Sequence, residues 1–390
     1  RQASLTEQRN LKMARSAHAY VRGNTRQFYE WLDSASGARL PAGPAVWICG
    51  DCHVGNLGPI ADSKGQIDIQ IRDLDQTVIG NPAHDLVRLG LSLASAARSS
   101  DLPGVVTAQM LEQMMEGYES AFTLPDEGNV AEVVTPRLVK RAMRSALKRK
   151  WSHLARERIK DTTPTIPLGQ KFWRLSKGEQ TEVRDLFKKE EVRRLVTSLH
   201  SRDSEARVEV LDAAFWVKGC SSLGRLRYAV LLKVGGDRGS LCLMDIKEAI
   251  QAVAPSCNKS EMPRDNAERV VAGAWHLSPA LGERMLAAGF QDRRVFLREL
   301  LPQDLKFEIE HLSLKESIKV AKFLATVVGK AHARQMDETT RQAWRKELHQ
   351  NRSKTLDAPS WLWSSVVELT VSHEGAYLEH CRRFAMNGGR

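Results

Sequence analysis

The sequence predicts an α+β fold, with helix-rich stretches on either side of a small antiparallel sheet that carries a helix. Three observations predict it. Residues 5–34, and the chain from Leu312 onward, read as helical. Residues 208–247 hold three strand-like runs separated by Gly-bearing turns, and Arg294–Leu301 reads as a fourth. Between 100 and 200 the pattern is again mostly helical.

Taken in order, residues 5–34 read as one or two helices, with Leu11, Ala14, Ala17, Val21, Phe28 and Trp31 on one stripe. Gly37 to Pro44 is a turn. Val46–Cys49 reads as a short buried strand, and Gly50–Pro59 as a loop. Ile67, Ile69 and Ile71 alternate with polar residues, the period of a half-buried strand. Asn81-Pro82 starts a helix, the Asn as cap and the Pro in the first turn. Leu86, Leu89 and Leu93 give that helix a core face. Leu147, Trp151 and Leu154 suggest an apolar stripe further on, and Pro164, Pro167 and Gly169 an extended connector. Val208–Val217, Arg225–Val234 and Ser240–Lys247 are the strands of the sheet. Residues 264–277 and 280–289 read as helices on either side of Pro279.

Composition excludes several classes. The chain has 390 residues, 42% hydrophobic and 27% charged, which is ordinary for a globular protein and unlike a disordered one. No run of eighteen apolar residues predicts a membrane span. Arg1 to Trp31 is polar and helix-patterned, unlike a secretory leader. The net charge is +11, from 58 basic and 47 acidic residues. Residues 137–160 contribute ten Lys or Arg and one Glu, so one segment holds nearly all of the excess. Such a stretch is ordinarily a solvated helix face; it would also favour an acidic ligand. Only one aromatic, Trp151, is interleaved there, which argues against nucleic acid as partner. Six scattered cysteines fit reduced thiols in a cytoplasm. Cys49 and Cys52 form a single CxxC without a second pair, so buried thiols are expected rather than a zinc site.

The chemistry concentrates in Val46–Asn56, VWICGDCHVGN, and in IRDLDQTVIGNPAHDL from Ile71. An acid on a loop, Asp51, is followed five residues on by an amide, Asn56. Asp73 ends the next strand, with Asp75 just beyond. Phosphoryl transfer needs these parts: a carboxylate to accept the proton of the attacking hydroxyl, and hard oxygens to hold Mg²⁺ against the phosphates. A polar turn satisfying its own backbone is the plainer reading of any one of these residues. His53 would orient Asp51 or the loop.

GDCHVGN resembles the catalytic loop of aminoglycoside-phosphotransferase-like kinases, H-G-D-x-H-x-x-N. The second segment resembles that family's I-D-x-x-x-x-x-x-G-D-P-x-x-D-L. The resemblance makes Asp51 the catalytic base, Asn56 and Asp73 the metal ligands, perhaps joined by Asp75, and Asp85 a brace for the loop. Cys49 stands where the pattern has its first His, and Asn81 where it has Asp before Pro. A kinase also needs a nucleotide lobe, and nothing before residue 46 supplies one. The candidate lies downstream. Gly219, Ser221, Ser222, Gly224 and Arg227 belong to a turn and strand start that would cradle phosphates. Lys247, in LMDIKEA, resembles the lysine that pairs with the α/β-phosphates, with Glu268 as its ion-pair partner. Lys247 also reads as a surface lysine at a strand end, and Glu248 and Glu261 compete with Glu268. Arg22, beside Gly23, would reach a phosphate or make a structural salt bridge.

The resemblance therefore implies a kinase-like two-lobed fold in circularly permuted order. Residues 1–204 would form the helical catalytic lobe, 205–302 the β-rich nucleotide lobe, and 303–390 a helical return. YVRG at 20–23, GDCHVGN, RDLD, SLGRLRY and IKEA together resemble a bacterial family known as domain of unknown function 2252. Its usual N-D-F-D-E reads Arg72-Asp-Leu-Asp-Gln76 here, with both acids kept. What this implies is an ATP- and Mg²⁺-dependent phosphotransferase acting on an unidentified acceptor. Transfer of AMP, or nucleotide binding without turnover, are alternatives on the same fold. A metallophosphoesterase would use Asp, His and Asn on two metals, but the 11 histidines form no such ligand series. A basic nucleic-acid-binding protein is the third class. If the permuted order holds, Lys247 must face Asp73 across a cleft.

Overall fold

The structure, a computed structural model, describes residues 1–34, 39–123, 135–148, 165–198, 202–220, 223–236, 239–257, 262–301, 304, 313–350, 352 and 357–384. Three helices open the chain: α1 (Gln2–Met13), α2 (Ala17–Gly23) and α3 (Thr25–Leu32). The expected one or two helices are divided because Ser16 and Asn24 both act as caps, their side chains accepting from the amides of Ala19 and Gln27. Strands β1 (Val46–Ile48), β2 (Leu57–Ala61), β3 (Ile67–Ile71) and β4 (Val78–Gly80) form two antiparallel pairs, β1 with β4 and β2 with β3. The expected loop 50–59 is thus shorter, since Leu57–Ala61 pairs along β3. Helix α4 (Pro82–Ser99) starts at Asn81, whose side chain accepts from the Ala83 amide.

Next come α5 (Gly104–Ser120) and α6 (Arg137–Lys148). Leu147 is 67% exposed, so it does not sit on the expected buried stripe. Only Val139 and Ala146 of α6 are buried. Trp151 and Leu154, with the rest of the basic stretch, lie outside the described residues.

A six-stranded antiparallel sheet follows. Its members are β5 (Phe172–Arg174), β6 (Val208–Trp216), β7 (Arg227–Val234), β8 (Ser240–Glu248), β9 (Met285–Phe290) and β10 (Arg293–Leu300), in the order β5-β6-β7-β8-β10-β9. Helices α7 (Lys177–Leu186) and α8 (Glu190–Thr197) pack on one face. There Val183, Leu186 and Val192 meet Tyr228, Val230, Met244 and Ile246, together with Leu5 of α1. The sheet layer therefore draws on residues well ahead of 205. Helices α9 (Asn266–Leu277) and α10 (Pro279–Gly282) lead into β9. The helix expected over 280–289 ends at Gly282. Residues 285–290 pair with β10 through a tight turn in which Gln291 and Asp292 adopt φ of 50° and 54°.

Helices α11 (Leu314–Ala333), α12 (Glu338–Gln350) and α13 (Ser360–Phe384) complete the chain. They return to the core around α4, where Leu86, Leu89 and Leu93 pack with Met114, Val328 and Leu362. Fold and sequence agree on a mixed α+β architecture. Among the described residues, no helix is long and apolar enough to cross a membrane.

Candidate active site

The loop after β1 is held by buried polar groups at almost every residue. Gly50 has φ +73°, and a Cβ there would meet the Gln76 carbonyl at 2.1 Å, so only glycine makes this bend. Asp85, at the start of α4, accepts the amide of Cys49 at 2.7 Å and of Gly50 at 2.9 Å. His332 Nε2 stands 3.2 Å from the same carboxylate. Its Nδ1 is 2.9 Å from the Tyr118 hydroxyl, which accepts from Trp344 Nε1 at 3.2 Å. Tyr29 donates to the Gly50 carbonyl. Asp85 thus braces the loop, and an apolar core fixes Asp85.

Asp51 is 7% exposed and lines a cleft of about 310 Å³ between this loop and the sheet. Its Oδ1 accepts from Arg88 Nε and its Oδ2 from Thr25 Oγ1, each at 2.9 Å. Burial raises the Asp51 carboxyl above its ordinary range, against the opposing pull of Arg88 and Thr25. Among the described residues no hydrogen bond joins the His53 ring to the Asp51 carboxylate. His53 heads a short 3₁₀ turn, Val54–Asn56, and its ring lines the cleft. Its Nδ1 is buried and has no hydrogen-bond partner. Burial, then Arg22 and Arg88, hold this imidazole well below its usual value, so it is neutral near pH 7. Arg22 also lines the cleft and lies flat on Gly55, where a Cβ would meet its guanidinium at 3.0 Å.

Asn56 Nδ2 donates to the Asp51 carbonyl at 3.0 Å, which leaves its amide oxygen as the unspent acceptor. Just past β3, the Asp73 carbonyl lies 3.7 Å from the Cys49 thiol. That contact ties the strand end to the loop at the position where the kinase pattern has His. Cys49 and Cys52 are buried free thiols. Their sulfurs and an Asp85 oxygen lie within 4.8 Å of one another, but both Asp85 oxygens already accept backbone amides.

In the sheet, between the strands that carry Arg227 and Arg298, alternate residues of β8 face one side. Lys247 is 1% exposed, and its Nζ lies 3.1 Å from Asp73 Oδ1 and 2.5 Å from Asp75 Oδ2. The structure therefore brings together two residues separated by 174 positions. Burial works against ionisation of Asp73, but Lys247 and Arg298 outweigh it and hold the carboxyl well below its ordinary range. Burial and the Asp73 charge push Asp75 upward. Asp75 Oδ1 is buried without a partner. Asn56 and Asp73 both line the cleft, and their oxygens are of the kind a hard divalent cation takes; Asp75 does not line it.

A family model described as "Uncharacterized protein conserved in bacteria (DUF2252)" matches residues 1–383. The chain belongs to this family. No curated protein and no solved structure matches it. Membership embraces every residue of the cleft, from both the helical part and the sheet.

Several expected DUF2252 site residues sit elsewhere or are otherwise engaged. Glu268 is not the partner of Lys247. It is exposed on the first turn of α9, 3.7 Å from Arg294. Arg294 in turn pairs with Asp265, the cap of that helix, so the turn's acids serve the helix end. Asp75 takes the place expected of Glu268. Arg227 donates twice to the buried Asp245, at 2.8 and 2.5 Å, and Arg298 donates to the same carboxylate at 3.2 Å. Both arginines line the cleft, already paired. Gly219 lines it as well, and Gly219 and Gly224 have φ of 98° and 100°. Ser221 and Ser222 lie outside the described residues. Arg88 and Thr25, which hold Asp51, were not foreseen from sequence. The available signal was an arginine three residues after Asp85, inside the apolar pattern of α4.

Proposed function

We propose that the cleft transfers a phosphoryl group from a Mg²⁺-bound nucleotide to the hydroxyl of an acceptor, on a kinase-like two-lobed fold in circularly permuted order. The observation that carries this reading is the contact between Lys247 and Asp73, with Asp51 and Asn56 lining or abutting the same cleft. A β8 lysine beside a strand-end carboxylate supplies the cation for phosphate oxygens and the oxygen for a metal.

Each residue then has a stated task. Asp51 accepts the proton as the acceptor oxygen bonds to phosphorus and the bond to the leaving nucleoside diphosphate breaks. Its raised pKa suits a base, and Arg88 and Thr25 hold its two oxygens in one orientation. Asn56 and Asp73 would hold Mg²⁺, which when bound neutralises phosphate charge. Lys247 would pair with the donor nucleotide's phosphates once these compete with Asp73 and Asp75. The Gly219–Gly224 turn, with glycines at positive φ, allows backbone amides close to the phosphates.

Calorimetric titration of ATP, with and without Mg²⁺, tests the proposal. Mg²⁺-dependent binding that weakens at least ten-fold in Asp73→Ala is the expected outcome. Absent binding by the folded wild type, or binding indifferent to Mg²⁺ and to Asp73, overturns it.

A further inference from the structure

Beside the cleft runs a second groove of about 800 Å³, lined by Lys12, Arg15, Lys171 and Lys218 over Phe172 and Trp216. Among the described residues no carboxylate lines it. Lys12, Arg15, Lys218 and Gly219 border both spaces, so the groove opens directly onto the cleft that holds Asp51 and Asp73. Neither Arg15 nor Lys171 has a carboxylate within ion-pair distance among the described residues, and Lys12 Nζ reaches only the Gly219 carbonyl, at 3.3 Å. Burial lowers the Lys12 ammonium, and Arg15 and Lys171 lower it further. Lys12 of α1, Arg15 of the turn after it and Lys171, which precedes β5, repel one another until an anion joins them. In the adjoining cleft, the buried His53 Nδ1 is without a partner.

We infer that this groove seats a phosphorylated small-molecule acceptor, its phosphate on Lys12, Arg15 and Lys171 and its hydroxyl directed to Asp51. Multiple cations spread over one groove match a doubly or more highly charged anion better than a single carboxylate. The role as acceptor rests on the phosphotransferase reading above; the anion site itself does not.

The test uses the full chain and inorganic tripolyphosphate as probe, titrated calorimetrically with and without saturating Mg²⁺-ATP. The expected result is binding under both conditions, weakened at least ten-fold in Arg15→Gln/Lys171→Gln. Mg²⁺-ATP affinity should move less than two-fold in Lys171→Gln alone, since Lys171 lines the groove and not the cleft. Both substituted residues are exposed, and a thermal melt checks that the variant is folded. Unchanged tripolyphosphate binding in the variant overturns the inference. So does exclusion of tripolyphosphate by Mg²⁺-ATP, which would make the groove part of the nucleotide site. A short oligonucleotide that binds more tightly and displaces the probe would assign the groove to nucleic acid instead. If Mg²⁺-ATP does not bind but tripolyphosphate still depends on Arg15 and Lys171, the anion site stands and its role as an acceptor site falls.

Discussion

Arg88 Nε donates to Asp51 Oδ1 at 2.9 Å from a side chain that is wholly buried. The same guanidinium donates from Nη2 to the Val21 carbonyl at 2.7 Å and lies 5.5 Å from the centre of the Phe28 ring. One residue of α4 therefore fixes the candidate base and anchors the two helices α2 and α3. Removing one partner of a buried ion pair strands the other, at a cost of about 3–5 kcal/mol. Arg88→Met is expected to lose that much stability in urea unfolding. Arg88→Met with Asp51→Asn should recover part of it, because the stranded charge is gone. A single variant within 1 kcal/mol of wild type would show that the pair is not what holds this junction.

Asp85 offers a second structural test. Its two oxygens take the Cys49 and Gly50 amides, so Asp85→Ala strands two buried donors at ~1–3 kcal/mol each. Asp85→Asn keeps one acceptor oxygen and should cost about half as much. Hydrogen exchange at Cys49 and Gly50 reads the effect locally. Protection of both amides that survives in Asp85→Ala would refute the brace.

Much of this arrangement was legible because it depends on residue type at short range. Asn81-Pro82 specifies a helix start by its own chemistry, and the alternation in β3 specifies a strand whatever packs on it. Asp51, Asn56 and Asp73 stood out through residue type, spacing and the resemblance of their two segments to a kinase loop. What failed depends on distant partners. Met285–Phe290 holds Ala287, Ala288 and Gly289, poor strand formers, and is a strand because β10 lies alongside. Lys247 finds Asp75 rather than Glu268 because the end of β3 reaches under the sheet, which no pattern within β8 or α9 encodes. Arg88 was concealed for a related reason. Helix α4 is buried on nearly all sides, so its polar residues show no solvent face from which an inward arginine would stand out.

The pairing at Lys247 separates two candidate acids by activity. Under the proposed function, Lys247→Met removes the cation that meets the phosphates and leaves Asp73 and Asp75 side by side without it. Turnover of Mg²⁺-ATP is expected to fall at least 100-fold. Glu268→Gln, which alters only an exposed contact with Arg294, should stay within two-fold of wild type. A comparable loss in both variants would restore Glu268 as the working partner of Lys247 in some other conformation.

Three histidines outside the proposed chemistry make stability depend on pH in a defined direction. His18, His84 and His373 are each lowered to about 4. Burial is the first cause for all three. Arg22 and Arg88 add to it for His18, and Arg88 for His373, whereas Asp85 and Asp33 oppose it for His84. Unfolded, these rings titrate near 6.5, so between about 6.5 and 4 the unfolded chain binds more protons than the folded one. Stability therefore falls as pH drops through that window, by about 1.4 kcal/mol per pH unit for each histidine, and stops falling from this source below it. His373 is 1% exposed, and its Nδ1 is 2.9 Å from the Leu369 carbonyl while Nε2 has no partner. Urea midpoints measured from pH 7 to pH 5 should decline at a constant m-value. In His373→Gln the slope should flatten by roughly a quarter or less, since burial lowers His53 as well as His18 and His84. A midpoint that holds level between pH 7 and pH 5 would mean that these rings are protonated in the folded chain, and that burial does not govern them.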